Sequence, residues 1–310
     1  MALTKRALIL AKEEVTYGVD PVPTPAANAV LVIDPVVTPV GEKLTRNTVK
    51  NTLSPDSPLM GKRHCEVTFQ TELRGSGVVD VAPRGVGDLF EACGMLETIA
   101  AAVSVKYTPA SSSLKSVTIY AYFDGLLHKI TAAVGSWELV CEAGQIPKIS
   151  WTFSGFFAAP TDEALPGSVT YDSTIPPIVQ NAGFAINSVS TLVVQQVALG
   201  LNNTISPRDD INAPTALKGF RVSAREPGGS FNPEAVLVAE YNFYDDWEKA
   251  TARALELTIG SVAGNKCGIS APKVTLDSIG PGDREGIRVF DIPISLGMDS
   301  GDDEVELLFT

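Results

Sequence analysis

Apolar and polar residues alternate along much of this chain, and this alternation constrains the fold more than any other feature. It is clearest in residues 66–73, EVTFQTEL, and it recurs in residues 117–123 and 149–154. A period of two residues places every second side chain on one face, as in a half-buried β-strand. Further strands are predicted over residues 220–224, 236–243, 287–294 and 304–309.

Two departures from plain alternation are predicted. A slip of phase between Val289 and Phe290 predicts a bulge in the strand that they share. Helical spacing of apolar residues appears clearly in two segments, residues 87–96 and residues 244–255. We therefore expect a mostly-β protein with few and short helices.

The two predicted helices occupy similar places in two similar halves of the chain. Each half runs from an apolar strand through a polar loop with an arginine, residues 40–63 or 201–219, to an alternating strand, a helix and a strand cluster. Thr118-Ile119 and Thr258-Ile259 begin the two strand clusters. This order predicts a tandem duplication. The predicted parts are an extended strap over residues 1–29, β domains over residues 30–165 and 185–310, and a linker over residues 166–184.

Composition and charge exclude several classes of protein. Hydrophobic residues make up 45% of the 310 residues, which is enough to bury a core, and no apolar run reaches the roughly 18 residues of a membrane span. Residues 1–15 lack the long apolar segment of a signal peptide, so we expect no export by that route. The formal net charge of −12 argues against a groove that grips nucleic acid phosphates.

No motif predicts catalysis, a metal site or a cofactor. His64 and His128 lack a nucleophile and an orienting residue in recognisable spacing. The four cysteines are scattered and are expected to be buried free thiols. Gly85-Val86-Gly87 fits a tight turn into a helix better than a dinucleotide loop, and Asp245-Asp246 fits a helix cap better than an acid–base pair.

The N-terminal leader is the most distinctive local segment. Residues 12–32 read KEEVTYGVDPVPTPAANAVLV, with prolines at 21, 23 and 25. Proline fixes φ and pushes the preceding residue towards extended backbone, so a stiff extended strap is predicted. The apolar run from Val30 to Ile33 is expected to be the first strand of the folded body.

This leader, followed by a strand and the loop GEKLTRNTVKNTLSP, resembles the start of tail tube proteins from long-tailed bacteriophages. The resemblance lies in one ordered string of residues within the first tenth of the chain: Glu14, Tyr17, Gly18, Asp20, Pro21, Pro23, Asn28, Ala29, Val30 and Leu31. It implies two tandem β-sandwich or barrel units, each with one short helix. It also implies a structural virion protein without enzymatic activity, whose rings stack into a hollow tube.

The resemblance further implies partners and a place of action. The chain would bind other copies of itself, as hexamers or as trimers of duplicated units, and would meet tape measure, tail terminator and distal tail or baseplate proteins. Double-stranded DNA would be a transient cargo of the lumen, and no membrane or cofactor would be involved. The protein would lie in the phage tail and would assemble in the host cytoplasm.

Two parts of the sequence are expected to make assembly contacts. The first is the segment KLTRN, whose long polar loop exceeds what a compact domain needs; its residues are Lys43, Leu44, Thr45, Arg46 and Asn47. The second is the leader, with Tyr17 and Asp20, as a strap on a neighbouring subunit that is ordered only on assembly.

Two other functions stay open from the sequence. A surface β-sandwich adhesin would also be acidic and rich in strands, although it would carry an export signal. A carbohydrate-active β protein would need two carboxylates across a cleft, and aspartates and glutamates are plentiful here.

Overall fold

Antiparallel strands dominate the structure, a computed structural model that describes residue 3 and residues 5–310. The strands of the first half are β1 Ala7–Glu13, β2 Ala29–Val30, β3 Ile33–Leu44, β4 Leu59–Glu72, β5 Met95–Ala100, β6 Ser104–Pro109, β7 Val117–Phe123, β8 Leu126–Glu142, β9 Lys148–Phe157 and β10 Thr161–Asp162. Those of the second half are β11 Ala185–Ile186, β12 Val194–Gly200, β13 Asn203–Asp209, β14 Leu217–Arg225, β15 Gly228–Pro233, β16 Arg253–Ile259, β17 Cys267–Leu276, β18 Gly280–Arg284, β19 Ile287–Gly297 and β20 Glu306–Phe309. The helices are α1 Pro25–Asn28, α2 Val86–Ala92 and α3 Phe243–Glu248. The predicted mostly-β class is confirmed, and no barrel closes within the described part of the chain.

The two halves repeat one strand order. In the first half the strands pair in the order β3-β4-β9-β8-β7-β1. In the second half the order is β12-β15-β19-β17-β16-β11. A helix follows β4 in one half and β15 in the other, and the short strands β10 and β20 return to β8 and β17. This repeated order supports the predicted duplication.

The irregularities repeat as well as the order. The β7–β8 pairing shifts by one residue just before Ile119, which pairs with Ile130, and the β16–β17 pairing shifts just before Leu255, which pairs with Ala271. Ile119 therefore corresponds to Leu255, and the alignment of Ile119 with Ile259 that the sequence suggested is wrong. A bulge bends its strand and must fit the neighbouring strands, so the repeated bulge agrees with the predicted duplication, which stays a prediction.

One pairing joins the two halves into a wide sheet. The C-terminal part of β8 pairs with β12 along the edge that does not face β9. The result is a continuous antiparallel sheet of eight strands in the order β3-β4-β9-β8-β12-β15-β19-β18. Each half contributes four strands, and the sequence gives no local signal for this nonlocal joint.

Each half buries its core against the helix of the same half. Phe90 of α2 packs edge-on against Trp137 and Trp151, with ring centroids 5.8 and 5.0 Å away. Phe243 of α3 packs against Phe231 and Phe290 at 6.1 and 5.9 Å. Buried aromatic rings of this kind contribute large apolar area, so the helices fix the inner face of the sheet.

Both helices are shorter than their sequence periodicity predicts. The first ends at Ala92, and Leu96 lies in β5; the second ends at Glu248, and residues 253–255 lie in β16. The predicted strand over residues 236–243 is wrong, because residues 236–242 form turns and irregular backbone and Phe243 begins α3. The cap of α3 is Asn242, whose side chain accepts a hydrogen bond from the Asp245 N–H.

Parts of the leader and of β19 also differ from the sequence-based expectation. Residues 7–13 form a buried strand between β2 and β7, and residues 25–28 form one helical turn with proline at its start. The first strand of the body begins at Ile33, after the two-residue β2. The predicted bulge in residues 287–294 is wrong, since β19 keeps a regular register with β18 and β15.

Candidate functional site

The outer face of the eight-stranded sheet is polar, open and mainly acidic. The opposite face of the sheet packs on the core. Along β4 and β9, buried residues such as Val67, Phe69 and Trp151 alternate with exposed or half-buried polar residues. The polar residues align across the strands, as in the pairs Thr68–Thr152 and Gln70–Ser150. The carboxylates on this open face include Glu66, Glu72, Glu138, Glu142 and Asp291, and its cations include Lys148 and Arg284. The face therefore repels phosphates more than it attracts them.

Both ends of this sheet are unpaired edges. Among the described residues, β3 pairs with β4 alone and β18 pairs with β19 alone. An unpaired edge presents N–H and C=O groups that can pair with another chain. Pro35, Pro39 and Pro281 lie on these two edge strands, where proline is tolerated because its missing N–H can face outwards.

A long hairpin arm projects from the first half. The arm, residues 41–60, joins β3 to β4 and is almost wholly exposed, including Lys43, Leu44, Thr45, Arg46 and Asn47. Val49 and Leu53 are as exposed as in an extended chain, at 103% and 105%. The KLTRN residues are thus placed together at its base, and their contact with another subunit stays a prediction.

A second, shorter arm lies beside the first. This arm is the hairpin β13–β14, which comes directly after β12 and has its tip at residues 210–216. It occupies the place in the second half that the first arm occupies in the first half. Ile211 at this tip is 98% exposed. Lys62 beside the first arm binds Asp209 of the second with an Nζ–Oδ2 distance of 2.9 Å. The sequence placed this region in a polar loop and missed the hairpin.

The leader is fastened to the chain by a buried carboxylate. Glu14 accepts hydrogen bonds from Ser116 Oγ and Thr118 Oγ1, both at 2.6 Å, and from the N–H groups of Gly18 and Ala132, both at 2.7 Å. A buried carboxylate is costly unless it is fully hydrogen-bonded, and this one is. Gly18 has φ = +75°, a backbone conformation that favours glycine.

Tyr17 and Asp20 also bind within their own chain. The Tyr17 hydroxyl donates to the Phe220 carbonyl at 3.1 Å and accepts from the Phe220 N–H at 2.6 Å. Asp20 accepts a hydrogen bond from the Tyr120 hydroxyl. The leader is therefore ordered on its own chain and reaches from the first half to β14 of the second. Contacts of Tyr17 and Asp20 with a neighbouring subunit stay a prediction.

Two polar residues between the halves carried no recognisable sequence signal. Asn203 donates from Nδ2 to the carbonyls of Cys93 and Gly135, at 2.6 and 2.9 Å, next to the β8–β12 joint. Arg225 binds Glu304 and Asp302 near the C-terminus with distances of 3.0 and 2.5 Å. Only the folded pairing brings these partners together.

The histidines and cysteines are placed as structural residues. His64 lies against the ring of Phe220, and His128 lies edge-on to Phe123, where burial lowers its pKa. All four cysteines are free and buried, as predicted, and burial raises the pKa of Cys65 to about 11 and of Cys141 to about 12. Such thiols are poor nucleophiles.

The metal and membrane searches cover the same described residues. No group of three or more histidine, cysteine, aspartate or glutamate residues there is arranged to hold a metal ion. No helix among them is long and apolar enough to cross a membrane.

Comparison with known proteins gives one clear family match. The model of the family described as "Phage tail tube protein" matches residues 4–297, nearly the whole chain. A search of curated proteins found no match. The match spans both halves, the leader and the arms.

Proposed function

We propose that copies of this chain, which belongs to the phage tail tube protein family, join into hollow rings. The rings would stack into the tail tube and conduct DNA to the host. The family is structural, which points to a protein that works by assembling and not by catalysis. The observation that carries the proposal is the eight-stranded sheet with one open polar face and two unpaired edges. The two free edges of such a sheet can pair with those of other copies and so close a ring.

The repeated halves favour rings of three chains. Each half supplies four strands to the wide sheet, so three chains would supply the six units that a hexamer of single-unit chains would supply. The contact between copies would be head-to-tail. Such contacts close into a ring when a whole number of the rotations that relate neighbouring copies makes one full turn.

The open face would line the lumen. Its carboxylates outnumber its lysines, and the chain as a whole carries a net charge of −12. An acidic wall repels DNA phosphates, so DNA passes without being held. The two arms would reach the next ring, and the arm at residues 41–60 carries Lys43, Arg46 and Lys50 against this acidic background.

The tape measure, tail terminator and distal tail proteins would be partners at the tube ends, and assembly would take place in the host cytoplasm. The test is electron microscopy of the purified protein at rising concentration, with and without initiating tail proteins. Hollow stacked rings are the expected result. A protein that stays monomeric under all these conditions would favour the surface β-sandwich adhesin or the carbohydrate-active β protein instead.

A further inference from the structure

We propose that β18 of one copy pairs antiparallel with β3 of the next copy, with Pro281 opposite Val37 and Asp283 opposite Pro35. The proposal rests on the ring assembly proposed above and adds which strands form the joint and in which register. The partner is thus a second copy of this chain.

The template for this joint lies inside the chain. At the boundary between the halves, β8 pairs with β12 so that Leu139 lies opposite Leu199 and Cys141 lies opposite Val197. Both pairs are hydrogen-bonded pairs of the antiparallel ladder, in which such pairs recur every second residue. The next pairs on either side show this: the Ala143 N–H donates to the Gln195 carbonyl at 2.8 Å, and the Leu201 N–H donates to the Trp137 carbonyl at 3.3 Å. If the halves are equivalent units, the second half should meet the next first half in the same way.

The edge of β18 corresponds to the joined edge of β8. Glu138 lies opposite Ser150 in the first half, and Gly280 lies opposite Asp291 in the second. The shared bulge makes Val134 correspond to Thr275, so their partners Ser154 and Ser295 also correspond. Counting back from these, Ser150 corresponds to Asp291, and residues 139 and 141 correspond to residues 281 and 283. The two-residue turn Glu285-Gly286, with φ of +53° and +87°, makes Arg284 and Ile287 a hydrogen-bonded pair, so residues 281 and 283 face the free edge.

The edge of β3 corresponds to the joined edge of β12. Val36 lies opposite Thr68, and Ala198 lies opposite Ser230. Thr68 and Ser230 correspond because their partners on the next strand, Thr152 and Pro293, correspond. Both pairings also carry a register shift close by, between Ile33 and Val36 and between Val194 and Val197, offset by one residue in this correspondence. Residues 197 and 199 therefore correspond to Pro35 and Val37, which sets the register of the proposed joint.

The prolines fit this register. Pro35 and Pro281 lack an N–H, but each faces a residue that has one, so each pair keeps one hydrogen bond: Val37 N–H to the Pro281 carbonyl, and Asp283 N–H to the Pro35 carbonyl. Proline on an edge strand discourages indiscriminate pairing with other sheets. The two edges are therefore weak partners for a random strand and adequate partners for each other.

Side chains across the joint are complementary. The same register sets Arg284 opposite Asp34, an exposed aspartate. Within the chain, Arg284 donates to the Asn232 carbonyl at 2.7 Å and lies 4.0 Å from Glu234, which holds it near the edge. Directly opposed charges of opposite sign stabilise a strand pair, typically by about 0.2–1 kcal/mol.

Disulfide crosslinking tests the register. Gly280 and Thr38 would face each other as a pair without direct hydrogen bonds, with Cα atoms about 4.5 Å apart, which suits a disulfide. Thr38 is exposed, and a Cβ at Gly280 would come no closer than 3.3 Å to the Asp291 carbonyl oxygen. The matched control combines Gly280→Cys with Glu42→Cys, which lies about 13 Å further along the same strand. The native cysteines are buried and contribute little background.

The expected result is oxidation of Gly280→Cys/Thr38→Cys rings to covalent dimers and trimers, with little crosslinking in the control. Mixing the two single variants should give dimers only. Rings that form normally but crosslink no better in the matched pair than in the control would overturn the joint and leave the tube function standing. Failure of the wild-type protein to form rings at all would overturn both.

A charge exchange provides a second test that needs no cysteine. Asp34→Lys should raise the concentration needed for ring formation about two- to fivefold, the equivalent of one lost cross-strand pair in each joint. Adding Arg284→Glu should restore it. If the double variant assembles no better than the sum of the two single changes predicts, residues 34 and 284 are not opposite each other.

Discussion

The Glu14 carboxylate accepts a 2.7 Å hydrogen bond from the backbone N–H of Ala132, at the bulge of β8. Ala132 has φ = +53°, a conformation that costs a non-glycine residue about 1–2 kcal/mol. The leader thus stabilises the bulge, and the bulge bends the strand that joins the two halves. Residues 118 positions apart in sequence are therefore coupled in the fold.

Replacing Glu14 by alanine should destabilise the unassembled chain by about 2–4 kcal/mol, because Ser116, Thr118 and Ala132 would lose a buried acceptor. Urea denaturation of the monomer measures this. The control is Glu142→Ala on the open face, which should change stability by less than about 0.5 kcal/mol. Equal effects of the two changes would contradict the role given to Glu14.

Tyr17→Phe should loosen the leader from the second half. It removes both hydrogen bonds to Phe220, each worth about 0.5–1.5 kcal/mol, and keeps the ring contact with Phe156. Hydrogen exchange at the Phe220 amide should become faster by roughly tenfold. Tyr171→Phe, at a tyrosine exposed to a similar degree, is the control and should leave that amide unchanged.

Lysines of the open face should become protected on assembly if this face lines the lumen. Lys148 should react with an amine-reactive dextran in the monomer and not in the tube, since the polymer is too large to enter. Lys249, directly after α3, lies away from the open face and should react in both states. Undiminished labelling of Lys148 in intact tubes would place the open face outside.

Arg46→Glu should weaken the stacking of rings more than their closure. The change reverses a charge on the exposed arm at residues 41–60, far from β18 and from the β3 residues of the proposed joint. Sedimentation should show single rings where the wild type forms tubes. Lys249→Glu makes the same change of charge outside the arm and should stack normally; rings of Arg46→Glu that stack equally well would remove Arg46 from the interface.

The pH dependence of stability should include Glu91. Burial raises the pKa of Glu91 from 4.5 to about 7, against the opposing effect of Lys115, while Glu13 and Glu97 raise it further. The folded chain therefore binds this proton more tightly than the unfolded chain, and stability should fall as pH rises from about 4.5 to 7. Glu91→Gln should reduce the loss of unfolding free energy between these two pH values by on the order of 1–2 kcal/mol. Urea denaturation of both proteins at the two pH values measures this. An unchanged slope would show that Glu91 stays charged.

The sequence predicts the strands well where one face is buried and the other is wet. The alternation in residues 66–73 and 149–154 reports that local condition directly, and both segments lie in the predicted strands. The sequence overestimates the length of both helices. A strand follows each helix after a short turn, and the apolar residues of that strand continue a helix-like spacing. The strand at residues 7–13 was missed because its burial depends on β2 and β7.

The candidate site was less accessible to sequence reasoning. The KLTRN residues indicate an exposed loop from their sequence alone. For Tyr17 and Asp20 the sequence does not indicate the partners, since only the fold brings Phe220 and Tyr120 to them. The joint between β8 and β12 depends on pairing of residues far apart in sequence, and no local pattern reports it. The free edges of β3 and β18 are defined by the absence of such a partner within the chain.

The central claim is that one chain supplies two equivalent units to a ring. Class averages of assembled rings, with the mass of a single ring measured in parallel, test it most directly. We expect six similar lobes and the mass of three chains. Six chains in a ring would keep the tube function and contradict the equivalence of the two halves.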